Sequence, residues 1–108
     1  MSNQTKSLVS EVLSSIAQIQ KYTENVSEEA FLTSLEKQDA VLHRIFIISE
    51  VAKRISAQTR KKHDQIPWKQ IIEMPKSLLL NDFGTDGKAI WNTVQTTLPE
   101  YGNGPSNR

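Results

Sequence analysis

The stretch DAVLHRIFIISEVAKRIS, Asp39 to Ser56, decides how this chain folds. Val41, Ile45, Ile48, Ala52 and Ile55 recur at alternating steps of four and three residues, the spacing that lines apolar side chains along one face of an α-helix. Leu42, Phe46, Ile47 and Val51 widen that stripe well beyond a single seam. A helix apolar on so much of its circumference belongs at the centre of a bundle or between two neighbours. One neighbour is its own bundle, and the other can be a second subunit.

Upstream, Leu8, Val12, Ile16 and Ile19, with Val9 and Leu13 beside them, predict a helix over about Lys6 to Glu24. Asn25, Val26 and Ser27 break it. Ser27 is a good N-cap, and Glu28 and Glu29 suit the positive end of the next helix. The helical pattern then runs to about Gln58, with a split expected near Leu35 to Lys37. Downstream, Arg60, Lys61, Lys62 and His63 read as a solvated helix end whose cations complement the negative dipole, with a phosphate contact as the sharper alternative. Pro67 restarts the chain, and Ile66, Trp68, Ile71 and Ile72 look like core. Proline is tolerated in a first helical turn but not in an interior. Pro75 therefore predicts two short helices, Trp68 to Glu73 and Pro75 to Leu80. Gly84 and Gly87 bracket a turn, and Thr85 or Asp86 can cap a last helix carrying Ile90, Trp91, Val94 and Leu98 on one face. Pro99 ends it.

No segment alternates apolar and polar residues as a half-buried strand does. The expected fold is all-α, an up-and-down bundle of four main helices plus one or two short ones, in a single domain over residues 6–101. Residues 1–5 and 102–108 are expected to be flexible ends.

The 108 residues carry a formal net charge of +1, so no overall basic footprint argues for nucleic acid. The absence of cysteine excludes disulfides, thiolate metal sites and cysteine nucleophiles, and it fits a reducing compartment. No apolar run approaches the ~20 residues a membrane-spanning helix needs. The first residues lack a signal-peptide pattern, so a cytoplasmic location is expected. HExxH spacing and a glycine-rich phosphate loop are both missing, and neither a metal nor a cofactor is expected.

His43 and His63 are the only side chains that titrate near neutral pH. His43 shares a helical face with Ile47, Glu50 and Arg54, so a His43–Glu50 contact could tune a proton carrier. A structural polar patch is the plainer reading. Ser49 and Ser77 have no neighbouring base or orienting acid to make a nucleophile.

The second marked block is IPWKQIIEMPKSLLLNDF, Ile66 to Phe83. Together with the Asp39–Ser56 helix, and with Trp91 and Leu98-Pro99 after it, it resembles the HepT-like family of HEPN-domain toxins, also known as DUF86. The resemblance covers residues 6–101. Glu50 falls on the glutamate of the family's Gly-Glu-Ala step, with Ser49 in place of the glycine and Val51 in place of the alanine. His43 falls where an arginine is common. The resemblance implies a homodimeric HEPN-like bundle whose arginine-histidine motifs meet across the dimer axis as a metal-independent RNA-cleaving site. It also implies a minimal nucleotidyltransferase antitoxin that adenylylates the motif tyrosine.

The motif itself is missing. Pro75 stands at the arginine position, Lys76 at the polar residue, Leu80 at the histidine and Asp82 at the tyrosine. Proline cannot hold a phosphate, leucine cannot move a proton, and aspartate offers no phenol and repels RNA. Loss of a general base together with a transition-state cation removes several orders of magnitude in rate. Lys76, His43, Arg44 and Glu50 are what remains of a polar site. The run Leu78 to Leu80 reads equally well as core or as a catalytic groove turned into a dry dimer seam. The expectation is a dimeric, partner-binding protein of a toxin-antitoxin system without ribonuclease activity. The alternatives are an active ribonuclease with a rearranged site and a helical structural subunit unrelated to toxins.

Overall fold

The computed structural model describes residues 3–64, 67–79 and 84–97. Six α-helices account for most of them, and no strand occurs among the described residues. Helix α1 is Asn3–Thr23, α2 Glu28–Leu32, α3 Leu35–Arg54, α4 Ala57–Lys62, α5 Trp68–Ser77 and α6 Gly87–Asn92, which runs on as a π-helical turn, Thr93–Thr97. The expected all-α bundle is observed. α3 is the central member and packs against α1, α2, α5 and α6.

The α3 stripe behaves as its spacing requires. Val41, Ile45, Ile48, Ala52 and Ile55 are buried, together with Leu42 and Val51. Val41, Leu42, Ile45, Ile48 and Ala52 meet Ile16 and Ile19 of α1, Phe31 of α2, Ile71 and Met74 of α5, and Ile90 and Val94 of the last helix in one core. Phe46, which appeared to widen the stripe, stays 41% exposed.

Local signals set most of the helix ends. Asn25 takes the left-handed conformation (φ 58°) just after α1, a geometry asparagine tolerates better than most residues. Ser27 caps α2 by accepting from the Ala30 N–H at 3.1 Å. Ser34 does the same for α3 through the Lys37 N–H, which puts the α2–α3 break slightly ahead of the expected place. Asp86 caps α6 by accepting from the Ala89 N–H at 3.0 Å. The helical pattern expected to continue to Gln58 breaks at Ile55, whose buried side chain anchors an extended residue, and Ser56 caps the separate helix α4.

One expectation is overturned outright. Pro75 does not divide two short helices but lies inside a single helix, Trp68–Ser77. An interior proline costs about 3 kcal/mol through a lost hydrogen bond and a steric clash. Here Ile71, Met74, Pro75 and Leu78 fall at helical spacing and are all buried, so the helix carries its proline on the face pressed into the bundle. Burial of three large apolar side chains at ~1.5–3 kcal/mol each outweighs the local penalty. The expected continuation to Leu80, the residues Ile66, Phe83, Leu98 and Pro99, and the tail 102–108 lie outside the described residues. No described helix is long and apolar enough to cross a membrane.

Candidate functional site

α5 carries Pro75 and Lys76, two of the positions that the family resemblance assigns to a catalytic motif. It is tied to the central helix at its middle. Buried Ser49 of α3 donates its hydroxyl to the Ile72 carbonyl at 2.6 Å. Its N-terminal approach is fixed by Trp68, whose indole N–H donates to the Arg60 carbonyl at 3.1 Å and the His63 carbonyl at 3.0 Å. These are carbonyls at the end of α4, where a helix leaves its last acceptors unpaired. Trp68 thus caps α4 from the start of α5. At the other end, the Asp86 N–H donates to the Leu78 carbonyl at 2.8 Å, and Leu79 pairs with Thr85 in an isolated antiparallel bridge.

On this frame Pro75 faces inward and is buried, while Lys76 beside it is exposed. Leu78 is 2% exposed and joins the core, whereas Leu79 is 39% exposed. The described part of the Leu78–Leu80 run, Leu78 and Leu79, is therefore divided between core and surface. Leu80 and Asp82 lie outside the described residues. Among the described residues, no group of three or more histidine, aspartate or glutamate side chains is placed to hold a metal.

The residual polar set on α3 does not converge. His43 and Glu50 are both exposed, so the contemplated buried His43–Glu50 contact is absent. Glu50 instead pairs with Lys53 one turn on, at 3.0 Å. Both groups are half or more exposed, so the pair contributes little to stability. Arg44 is half-buried and its Nε has no hydrogen-bond partner among the described residues. Ser77 donates its hydroxyl to the Met74 carbonyl at 2.8 Å, a structural role like that of Ser49.

Sequence reasoning missed the Ser49 tether and the Trp68 cap. Serine in place of the usual glycine was the only available signal for the first. It also missed Gln38. This buried side chain donates to the Phe31 and Leu32 carbonyls at 3.1 and 3.2 Å, and its amide oxygen accepts from the Thr85 hydroxyl at 3.4 Å. Gln38 thereby joins the end of α2, the start of α3 and the loop that follows the motif segment. Phe31 and Trp91 add a tilted ring contact at 5.3 Å between α2 and α6, and Lys88 pairs with Glu28 across the same helices.

Two of the surface clefts among the described residues border this frame. One, about 640 Å³, lies between α4 and α5 and includes Arg60, Lys61, Asp64, Trp68, Lys69 and Glu73 in its lining. The other, about 500 Å³, lies at the α2–α3 corner beside Leu32, Leu35, Gln38, Thr85 and Lys88.

A family model described as "Ribonuclease HepT-like" matches residues 12–104, nearly the whole of this helical frame. The chain belongs to the HepT-like ribonuclease family. This HepT-like chain is 37% identical over 100 residues to a protein of Methanocaldococcus jannaschii named "Gamma-glutamylcyclotransferase and putative RNase". That alignment covers 93% of the chain but only 45% of the relative, so the chain spans less than half of that protein's length. It is 29% identical over 99 residues to a Thermococcus cleftensis protein named "Probable ribonuclease HepT", covering 92% of the chain and 90% of the relative. No solved structure gives a significant match.

Proposed function

We propose that this HepT-like chain has lost ribonuclease activity and serves as a cytoplasmic partner-binding component of a toxin-antitoxin pair. In that reading it acts as a homodimer toward a minimal nucleotidyltransferase. The observation that carries the proposal is Pro75. At the position of the family's arginine the chain has an uncharged ring turned into the bundle core. No cation can be presented to a phosphate from there. The leucine and aspartate at positions 80 and 82 supply neither a proton carrier nor a phenol. Of the motif positions only exposed Lys76 could touch RNA, and one lysine without a base does not make a cleavage site.

The dimer part of the proposal is supported by the outward face of α3. Asp39, His43, Phe46, Glu50 and Arg54 are exposed along it, with half-buried Ile47 among them. If two copies of this face pack antiparallel about an axis between Phe46 and Ile47, each Phe46 meets the partner's Ile47. His43 then meets the partner's Glu50, and Asp39 the partner's Arg54. An isologous contact demands this self-complementarity of apolar centre and opposite charges.

Three measurements test the proposal. The purified chain should leave single-stranded RNA intact. Cleavage that disappears in a His43→Ala variant would end the inactive reading. Sedimentation should give a dimer that Phe46→Asp converts to a folded monomer, and a monomeric wild-type chain would end the dimer reading. Co-purification from the native host should recover a small nucleotidyltransferase. A reproducible unrelated partner would point instead to a structural subunit outside toxin systems.

A further inference from the structure

The net charge of +1 hides a strong asymmetry. Residues 53–69 hold Lys53, Arg54, Arg60, Lys61, Lys62 and Lys69 against Asp64 alone, six cations to one carboxylate, a formal +5. Seven cations face eleven carboxylates in the rest of the chain, a formal −4. The basic tract is the corner where α3 ends, α4 runs its two turns and α5 begins.

That corner also holds the cleft of about 640 Å³. Lys61 and Lys69 are exposed on its two walls, one from α4 and one from α5, and Trp68 is half-buried between them. Lys61, Lys62 and Lys69 have no ion-pair partner among the described residues, in contrast to Lys53 and Lys88. Arg60 has a buried Nε with no hydrogen-bond partner there. Unneutralised cations beside an aromatic ring in an open cleft are the recurring parts of a single-strand nucleic-acid site. The cations follow the backbone, and the ring stacks a base without regard to its identity. Asp64 and Glu73 in the same lining can accept hydrogen bonds from ribose hydroxyls or exocyclic amines. The cleft volume of about 640 Å³ lies in the range of pockets that hold small organic ligands, so one nucleotide unit fits.

We infer that the α4–α5 cleft is a single-stranded RNA-binding site that takes a base against Trp68 and the flanking phosphates on Lys61 and Lys69. It is separate from the segment matching the family's catalytic motif. Trp68 and Lys69 open α5, whereas Pro75 and Lys76 lie at its far end, about 10 Å further along the axis. The inference is independent of whether the chain cleaves RNA, because none of these residues occupies a motif position.

The test is fluorescence anisotropy with a labelled twelve-residue oligouridine on the full chain. Binding should weaken with salt at a log–log slope of about −1.4, as expected for two single-strand phosphate contacts. The double change Lys61→Ala and Lys69→Ala should weaken it at least tenfold. The charge-matched control Lys6→Ala with Lys21→Ala, on exposed positions of α1, should change it less than twofold. All four lysines are exposed, so both variants should fold. In a Trp91→Phe background, where Trp68 is the only tryptophan, the oligonucleotide should quench indole emission. Absence of binding at low salt, equal losses in the two double variants, or binding without quenching would each overturn the assignment. Equally tight binding of polyglutamate would overturn it in favour of an acidic protein partner.

Discussion

Replacing Ser49 tests how the motif-bearing helix is held. The Ser49 hydroxyl is 2% exposed with its residue and donates to the Ile72 carbonyl at 2.6 Å, the direct polar link between α3 and α5. Ser49→Ala removes that bond, a loss of about 1 kcal/mol, and returns ~0.5 kcal/mol because alanine is the better helix former. The Ile72 carbonyl keeps its ordinary intrahelical acceptor role toward the Lys76 N–H, so no orphaned group adds to the cost. The expected net destabilisation is about 0.5 kcal/mol. Ser49→Gly, which installs the glycine that the family resemblance places there, loses the same bond and a further ~0.5 kcal/mol of helix propensity, for about 1.5 kcal/mol in all. At ~4–8 °C per kcal/mol for a domain near this size, the midpoint of thermal unfolding should fall by about 2–4 °C for alanine and about 6–12 °C for glycine. Circular-dichroism melts at one fixed protein concentration measure both, since self-association would otherwise move the midpoint. An alanine variant that melts at or above the parent would show that the hydroxyl–carbonyl bond does not tether α5.

The remaining predictions concern the joints around the same frame. Gln38→Leu should destabilise the chain by about 2–4 kcal/mol in urea unfolding, because the Phe31 and Leu32 carbonyls lose their side-chain donor in a buried setting. An unchanged midpoint would mean that water replaces the amide. Gly87→Ala should cost about 1–2 kcal/mol, since its new methyl would stand 3.0 Å from the Gln38 Cδ and Oε1. That cost should largely vanish in a Gln38→Ala background, and additive losses in the double variant would refute the proposed clash. Asn25→Ala should lose about 1 kcal/mol because the position holds φ 58°, whereas Asn25→Gly should stay within about 0.5 kcal/mol of the parent. Equal melting of the two variants would show that backbone strain is not the cause.

Much of the scaffold was legible without coordinates because its signals are local. The four-three spacing of Val41 to Ile55 fixes which side of α3 is buried. Ser27 and Asp86 each accept from a backbone N–H three residues on, as expected of short polar side chains at helix starts. The candidate site was legible only in its absences. Serine at 49 does not say that its partner is a carbonyl 23 positions away, and Trp68 read as core although its indole also caps α4. The basic run Arg60 to His63 was visible as charge. Its junction with Lys69 and Trp68 across one cleft was not, because that junction depends on the turn between α4 and α5.

By itself, then, the sequence determined most of the helices, their inner faces and the family resemblance. These follow from residue type and near-neighbour spacing. The tertiary structure alone decided that Pro75 stays inside one helix, that α3 stops at Ile55, and that His43 and Glu50 face outward apart from each other. At Pro75 and Ile55 the burial of a distant surface outweighed a local preference, and such long-range burial cannot be read from residues a few positions apart.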